Sequence, residues 1–176
     1  MTSQMKTFVA VAVALILPLI VRAGDAPEMK PFKGSAELER IKSLAGVWKG
    51  KEDMGQGVQE VVVNYAVTAG GSAVVETLFP KTSHEMVSVY HDEGGKLTMT
   101  HYCMLRNQPH MKLTHTTPVS MTLSLAGRAG IANANEPHMH ALTINFINAD
   151  SIEHRWISYK DGKESNTVKL VLARTP

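Results

Sequence analysis

The sequence predicts an all-β protein, a closed up-and-down antiparallel β-barrel of about ten strands preceded by one short helix. Three observations predict it. Past residue 46, the helical spacing of apolar residues stops and period-two alternation takes over. The separators between alternating runs are mostly short and rich in Gly, Asn, Asp, Pro and Lys, so that consecutive runs pair as hairpins. The runs are numerous enough for the sheet to close on itself and remove its edges. A two-sheet sandwich is the alternative arrangement of the same strands.

The 176-residue chain opens with Lys6, the apolar run "FVAVAVALILPLIV" and "VRA" ahead of Gly24. This is the pattern of a signal peptide spanning 1–23, and it implies export to a periplasmic or extracellular location. The apolar run of 14 residues is short for a membrane span, Pro18 interrupts it, and no cysteine follows it as a lipid anchor. No stable membrane insertion is expected after cleavage. Removal takes Lys6 and Arg22 but no acid, leaving 153 residues with 16 basic and 16 acidic side chains. That length suits one domain, and the balanced charge argues against a nucleic acid partner. Residues 24–34 read as an irregular lead-in and 35–176 as the barrel domain. The single cysteine, Cys103, cannot form an internal disulfide, so stability must come from the core.

Within the domain, Ser35 has the character of an N-cap, and Leu38, Ile41 and Leu44 recur at helical spacing before Gly46 ends the helix. Strands are expected over 46–53, 58–67, 72–79, 84–91, 96–104, 110–117, 119–125, 138–147, 151–160 and 164–173. One connection is long, "AGRAGIANANEP" at 126–137, and long loops in compact domains are often functional.

Alternation assigns the faces. In the eighth strand Leu142, Ile144 and Phe146 share a face, which by parity carries His138 and His140 inward. Leu97 and Met99 carry His101 and Cys103 inward, Met111 and Leu113 carry His115, and Ile152, His154 and Trp156 share the inner face of the ninth strand. The fourth strand reads two ways: Val87 and Val89 bring Glu85 and His91 inside, whereas Met86 and Tyr90 bring His84. Strand direction then sorts the ends. His84, Glu85, His101, Cys103, Asn107, Gln108, His110, His138 and His140 gather at one mouth, opposite the helix and Trp48.

These residues support several chemistries. A polar rim of His84, Glu85, His101, Cys103, Asn107, Gln108, His138, His140, His154 and Trp156 over an apolar interior suits one small hydrophobic or amphipathic ligand. The His138–X–His140 pair, with Cα atoms roughly 7 Å apart, could join His101 on zinc or copper. Haem is a second possible cofactor, with His101, His138, His140 and His154 as candidate ligands; no C-x-x-C-H motif is present for covalent attachment. An enzyme would use Glu85 with His101 or His140 for acid–base work, or Cys103 beside a histidine as a nucleophile. "HEMVS" lacks the second histidine of a zincin, since residue 88 is serine, and no G-x-S-x-G occurs.

At "LAGVWKGKE" the chain resembles the calycin superfamily, which includes lipocalins, fatty-acid-binding proteins and nitrobindin-like barrels. Gly46, Val47 and Trp48 match the Gly-X-Trp of their first strand, whose Trp closes the blind end. Gly50 extends the nitrobindin-like pattern, but Glu52 stands where that pattern has a further glycine. The resemblance carries that family's haem ligand onto no particular residue here. "GGSAVVETLFP", "HEMVSVYH", "HMH" and "DGKE" are further similar to a family of secreted bacterial lipocalin-like proteins of unknown function. That resemblance implies fold and export, and no reaction.

Overall fold

The computed structural model describes residues 30, 32–53 and 57–176. The expected signal peptide and most of the lead-in lie outside the described residues. The domain is a closed antiparallel barrel of ten strands in meander order, β1 Gly46–Asp53, β2 Val58–Thr68, β3 Ala73–Leu78, β4 Met86–Glu93, β5 Lys96–Tyr102, β6 His110–Thr117, β7 Ser120–Leu125, β8 His138–Asn148, β9 Ser151–Lys160 and β10 Lys163–Arg174. Helix α1, Ala36–Lys42, precedes them. The barrel expectation holds and the sandwich does not.

Closure is made by β1 against β10, through Trp48–Arg174, Lys49–Ala173 and Gly50–Leu172. Gly50 is required there because a Cβ would run into the Val171 carbonyl oxygen.

One end of the barrel is plugged. Ser35 caps α1 by accepting from the Leu38 amide at 3.1 Å, and its own amide and hydroxyl donate to Asp92 of β4 at 2.6 and 2.8 Å. Acids in the first turn (Glu37, Glu39) and bases in the last (Arg40, Lys42) complement the helix dipole. Arg40 donates to the carbonyls of Thr117 and Pro118 and lies over the Phe146 ring, so the helix is tied to both sides of the barrel. Leu38 and Ile41 are fully buried beneath it. Trp48 is buried at this end as well; its Nε1 donates to the Leu44 carbonyl at 2.7 Å, and the Arg174 guanidinium lies 4.3 Å from the ring centroid. The other end, where β3 meets β4, β5 meets β6 and β7 meets β8, is the mouth.

The edges of two strands differ from expectation. β4 begins at Met86, so His84 and Glu85 belong to the preceding turn. Phe79 and Lys81 there take left-handed backbone (φ 52° and 62°), Thr82 Oγ1 donates to the Phe79 carbonyl, and the Glu85 carboxylate accepts from the Lys81 amide at 2.6 Å. β5 ends at Tyr102, and Cys103 starts a turn closed by its carbonyl and the Arg106 amide.

Candidate functional site

A cavity of about 140 Å³ opens at the mouth. Leu78 and Phe79 from the end of β3, Met86 from β4, His101 from β5, Met139 from β8, Trp156 from β9, and Val168 and Leu170 from β10 line it. The lining is apolar apart from His101, whose ring lies 4.6 Å from that of Trp156. The Trp156 Nε1 is buried without a hydrogen-bond partner. Phe79 holds a positive φ that a bulky residue adopts at a cost of roughly 1 kcal/mol or more, as residues at ligand-binding positions often do.

Behind His101 a polar row runs around the wall. Tyr65, Glu76, Ser88 and His101 are successive cross-strand partners on β2, β3, β4 and β5, and all four are buried. The Ser88 hydroxyl lies 3.0 Å from His101 Nδ1, and hydrogen bonding from Ser88 also favours the charged form of Glu76. Tyr65 donates to Glu76 Oε1 at 3.0 Å, and Tyr90 to Oε2 at 2.8 Å. Burial and the neighbouring carboxylate hold both phenols well above their usual range, which keeps them protonated donors. The Tyr65 oxygen also lies 2.8 Å from His154 Nε2. With the Tyr65 proton on Glu76, His154 Nε2–H donates to Tyr65, and Nδ1 keeps a lone pair, which needs no donor. Nδ1 indeed has no hydrogen-bond partner.

Burial dominates the titration of this row. It pushes Glu76 up to about 7 against the three hydroxyl donors that stabilise its anion. It pushes His101 down to about 4 and His154 down to about 3, so both imidazoles are neutral.

His101, His154 and Trp156 therefore sit on the inner face as parity predicts. His138 and His140 do not. A β-bulge between Met139 and Ala141 inserts His140 as an extra residue in β8. Parity flips across it: Met139 enters the cavity, and His138 pairs with Tyr159, on the face of β9 opposite Trp156. The His140 ring stacks on Tyr159 at 3.7 Å and 11°, and His138 Nε2 lies 3.3 Å from His140 Nδ1. His138 Nδ1 donates to the Glu136 carbonyl at 2.8 Å. These rings line a second, separate hollow of about 140 Å³ with Leu125, Arg128 and Ile131 beneath the 126–137 loop. Burial, with the neighbouring His138 second, lowers the His140 pKa.

Other expected rim residues hold the loops. Asn107 is buried and donates to the Glu136 side chain and the Pro137 carbonyl, tying the β5–β6 turn to the 126–137 loop. The Gln108 side chain is exposed, and its amide donates to the Gly130 carbonyl; a Cβ on Gly130 would strike the Gln108 carbonyl oxygen. His84 and Glu85 are exposed in their turn, so neither alternative for the fourth strand holds as stated: Met86, Ser88 and Tyr90 form its inner face, with His84 outside the strand. Cys103 is half-buried and its thiol is pushed up by burial, away from a nucleophilic thiolate. A second bulge, between Leu113 and His115, turns His115 out to solvent.

The structure does not bring His101 together with His138 and His140. Among the described residues no three His, Cys, Asp or Glu side chains converge where a metal ion could be held. Of the four haem-ligand candidates only His101 lines the cavity, and the cavity is on the scale of a benzene-binding void rather than a porphyrin. Haem does not fit this conformation. Glu85 is not in the cavity with His101, so the expected acid–base pair is not assembled.

Tyr65, Glu76 and Ser88 are the functional candidates that the residue-by-residue reading missed. Alternation contains the signal: Val61, Val63 and Tyr65 share one face of β2, and Val74, Glu76 and Leu78 one face of β3.

No protein-family model matches the sequence, and no curated protein matches it. Solved structures do share the fold. One is a protein of unknown function from the DUF3598 family of Nostoc punctiforme PCC 73102, at 15% identity and a TM-score of 0.52, covering 77% of this chain and 49% of that one. Another is Rv2717c from M. tuberculosis, at 16% identity and a TM-score of 0.54, covering 82% of this chain and all of the other. This chain spans about half the length of the first. Likeness at such identity concerns the barrel alone.

Proposed function

We propose that this chain is an exported, calycin-type barrel that binds one small apolar or amphipathic molecule at its mouth. The observation that carries the proposal is the cavity of about 140 Å³ built from Leu78, Phe79, Met86, Met139, Val168 and Leu170, with His101 and Trp156 beside them. A void of this volume, lined by aliphatic and aromatic carbon, favours a single small ring or short chain, which gains by leaving water. The leader-like residues 1–23 support export. The Gly46–Val47–Trp48 run, with Trp48 sealing the end opposite the cavity, supports the calycin kind.

Titrating the purified mature protein with toluene tests the reading. The sequence has two tryptophans, and Trp156 touches the cavity while Trp48 lies at the plugged end. Saturable change in Trp156 emission is expected, and Met139→Trp, which fills the cavity, should abolish toluene binding as read by calorimetry. Non-saturable uptake, or equal affinity in the filled variant, overturns the proposal.

A further inference from the structure

We propose that His138 and His140 form an open two-imidazole site for a divalent transition cation such as zinc, in the hollow beneath the 126–137 loop. The proposal is independent of the cavity at the mouth, which neither ring lines.

The bulge builds the site. It gives β8 one residue more than β9 between Met139 and Ala141, and both imidazoles come to lie against Tyr159. His138 Nε2 and His140 Nδ1 then stand 3.3 Å apart. Two nitrogens that each bind one zinc ion at about 2.0–2.1 Å, at a tetrahedral angle, are also about 3.3 Å apart. The spacing a cation requires is thus present in its absence. Both rings are held from behind. His138 Nδ1 lies 2.8 Å from the Glu136 carbonyl, the kind of partner that commonly orients a metal-ligating imidazole. A carbonyl only accepts, so Nδ1 carries the proton, and the neutral ring keeps its lone pair on Nε2, facing His140. The His140 ring lies flat on Tyr159 at 3.7 Å and 11°.

Without a cation, one proton occupies the gap: His138 Nε2 accepts, so His140 Nδ1 donates. The cation takes the place of that proton. His140 gives up the proton on Nδ1 to water and takes one from water at Nε2, so the ring stays neutral and both facing lone pairs meet the metal. Burial, with the neighbouring His138 second, favours the neutral His140 ring, the form that ligates. No third His, Cys, Asp or Glu among the described residues converges there, so water from the hollow fills the remaining positions. Arg128 lines the hollow too, but it is exposed, and solvent screens its repulsion of a cation. His91 and His110 are the rival pair. Each ring lies 3.4 Å from Glu93 Oε1, but Lys112 Nζ, 3.7 Å from Oε2, already meets that carboxylate with a cation.

Zinc chloride, titrated by calorimetry into the chelator-stripped mature protein at neutral pH, is the test. One zinc ion per chain should bind saturably. His140→Phe, which keeps a ring on Tyr159, should weaken binding about tenfold or more, and His110→Ala should leave it within about twofold. Nitrogen-15 spectra of imidazole-labelled wild type should show zinc moving the His140 proton from Nδ1 to Nε2 while His138 keeps its proton on Nδ1, a readout that needs no variant. Absence of saturable zinc binding overturns the proposal. So does an affinity unchanged in His140→Phe, or one lost in His110→Ala, which would place the zinc on the outer face at Glu93. Zinc that leaves the His140 proton on Nδ1 overturns it as well.

Discussion

Ser88 and His101 are direct cross-strand partners whose side chains meet inside the barrel, Oγ to Nδ1 at 3.0 Å. Paired positions on one face of an antiparallel ladder are close enough for such a contact, and burial makes the contact costly to break. Ser88→Ala should lower stability by about 1–3 kcal/mol, the penalty of stranding a buried imidazole nitrogen. Urea denaturation measures it; a loss within error would mean that water or another group replaces the hydroxyl.

Acid should unfold the protein in a manner set by three buried groups. Glu76 is raised from 4.5 to about 7, so the unfolded chain is the more ionised between those values, and acidification from 7 to 4.5 adds stability. His101 and His154 are lowered from 6.5 to about 4 and about 3, so the unfolded chain takes up protons that the barrel refuses, and acidification below 6.5 removes stability. Two histidines oppose one carboxyl, so the net effect from pH 6.5 to 4.5 is loss. In Glu76→Gln the offset is gone, and stability should fall more steeply over that window, where His140, also lowered by burial, adds to the loss. Urea midpoints at several pH values test this, and parallel profiles for the two proteins would refute it.

The bulge at His140 separates the two histidine environments. His138→Ala with His140→Ala should leave toluene affinity at the mouth within about twofold, since neither ring lines that cavity. A loss comparable to that of Met139→Trp would show that the rings reach the cavity after all.

Trp48 carries the plugged end. Its ring is buried, bonded to the Leu44 carbonyl and covered by Arg174. Trp48→Ala should cost about 3–5 kcal/mol, and Trp48→Phe less. The thermal midpoint should drop in that order; equal midpoints would deny the plug its role.

Much of this was legible in the sequence, and the limits have physical causes. Ten strands, their direction, the inward set of β9 and that of β5 as far as His101 follow from alternation, because those strands run without interruption through the interior; Cys103 falls past the end of β5, in the turn. Alternation alone misplaces His138 and His140, because a bulge adds one residue and reverses parity without any change in composition. Alternation alone draws His84 and Glu85 into β4, because left-handed backbone at Phe79 and Lys81 lengthens the turn and neither residue type announces it. Glu76 obeys alternation, yet a carboxylate between Val74 and Leu78 is readable as interior only when its partners Tyr65, Tyr90 and Ser88 are seen converging from other strands.

The seam between β1 and β10 joins the two ends of the domain: Trp48 is paired with Arg174, and the Thr175 amide donates to the Val47 carbonyl. A ribosome delivers Trp48 long before Arg174. Until the last strand emerges, β1 and β9 each present an unpaired edge, and the nascent sheet is open to pairing with other chains. The barrel is thus a structure completed by its final dozen residues, and a stop codon ahead of β10 would yield an adhesive open sheet in place of a shorter barrel.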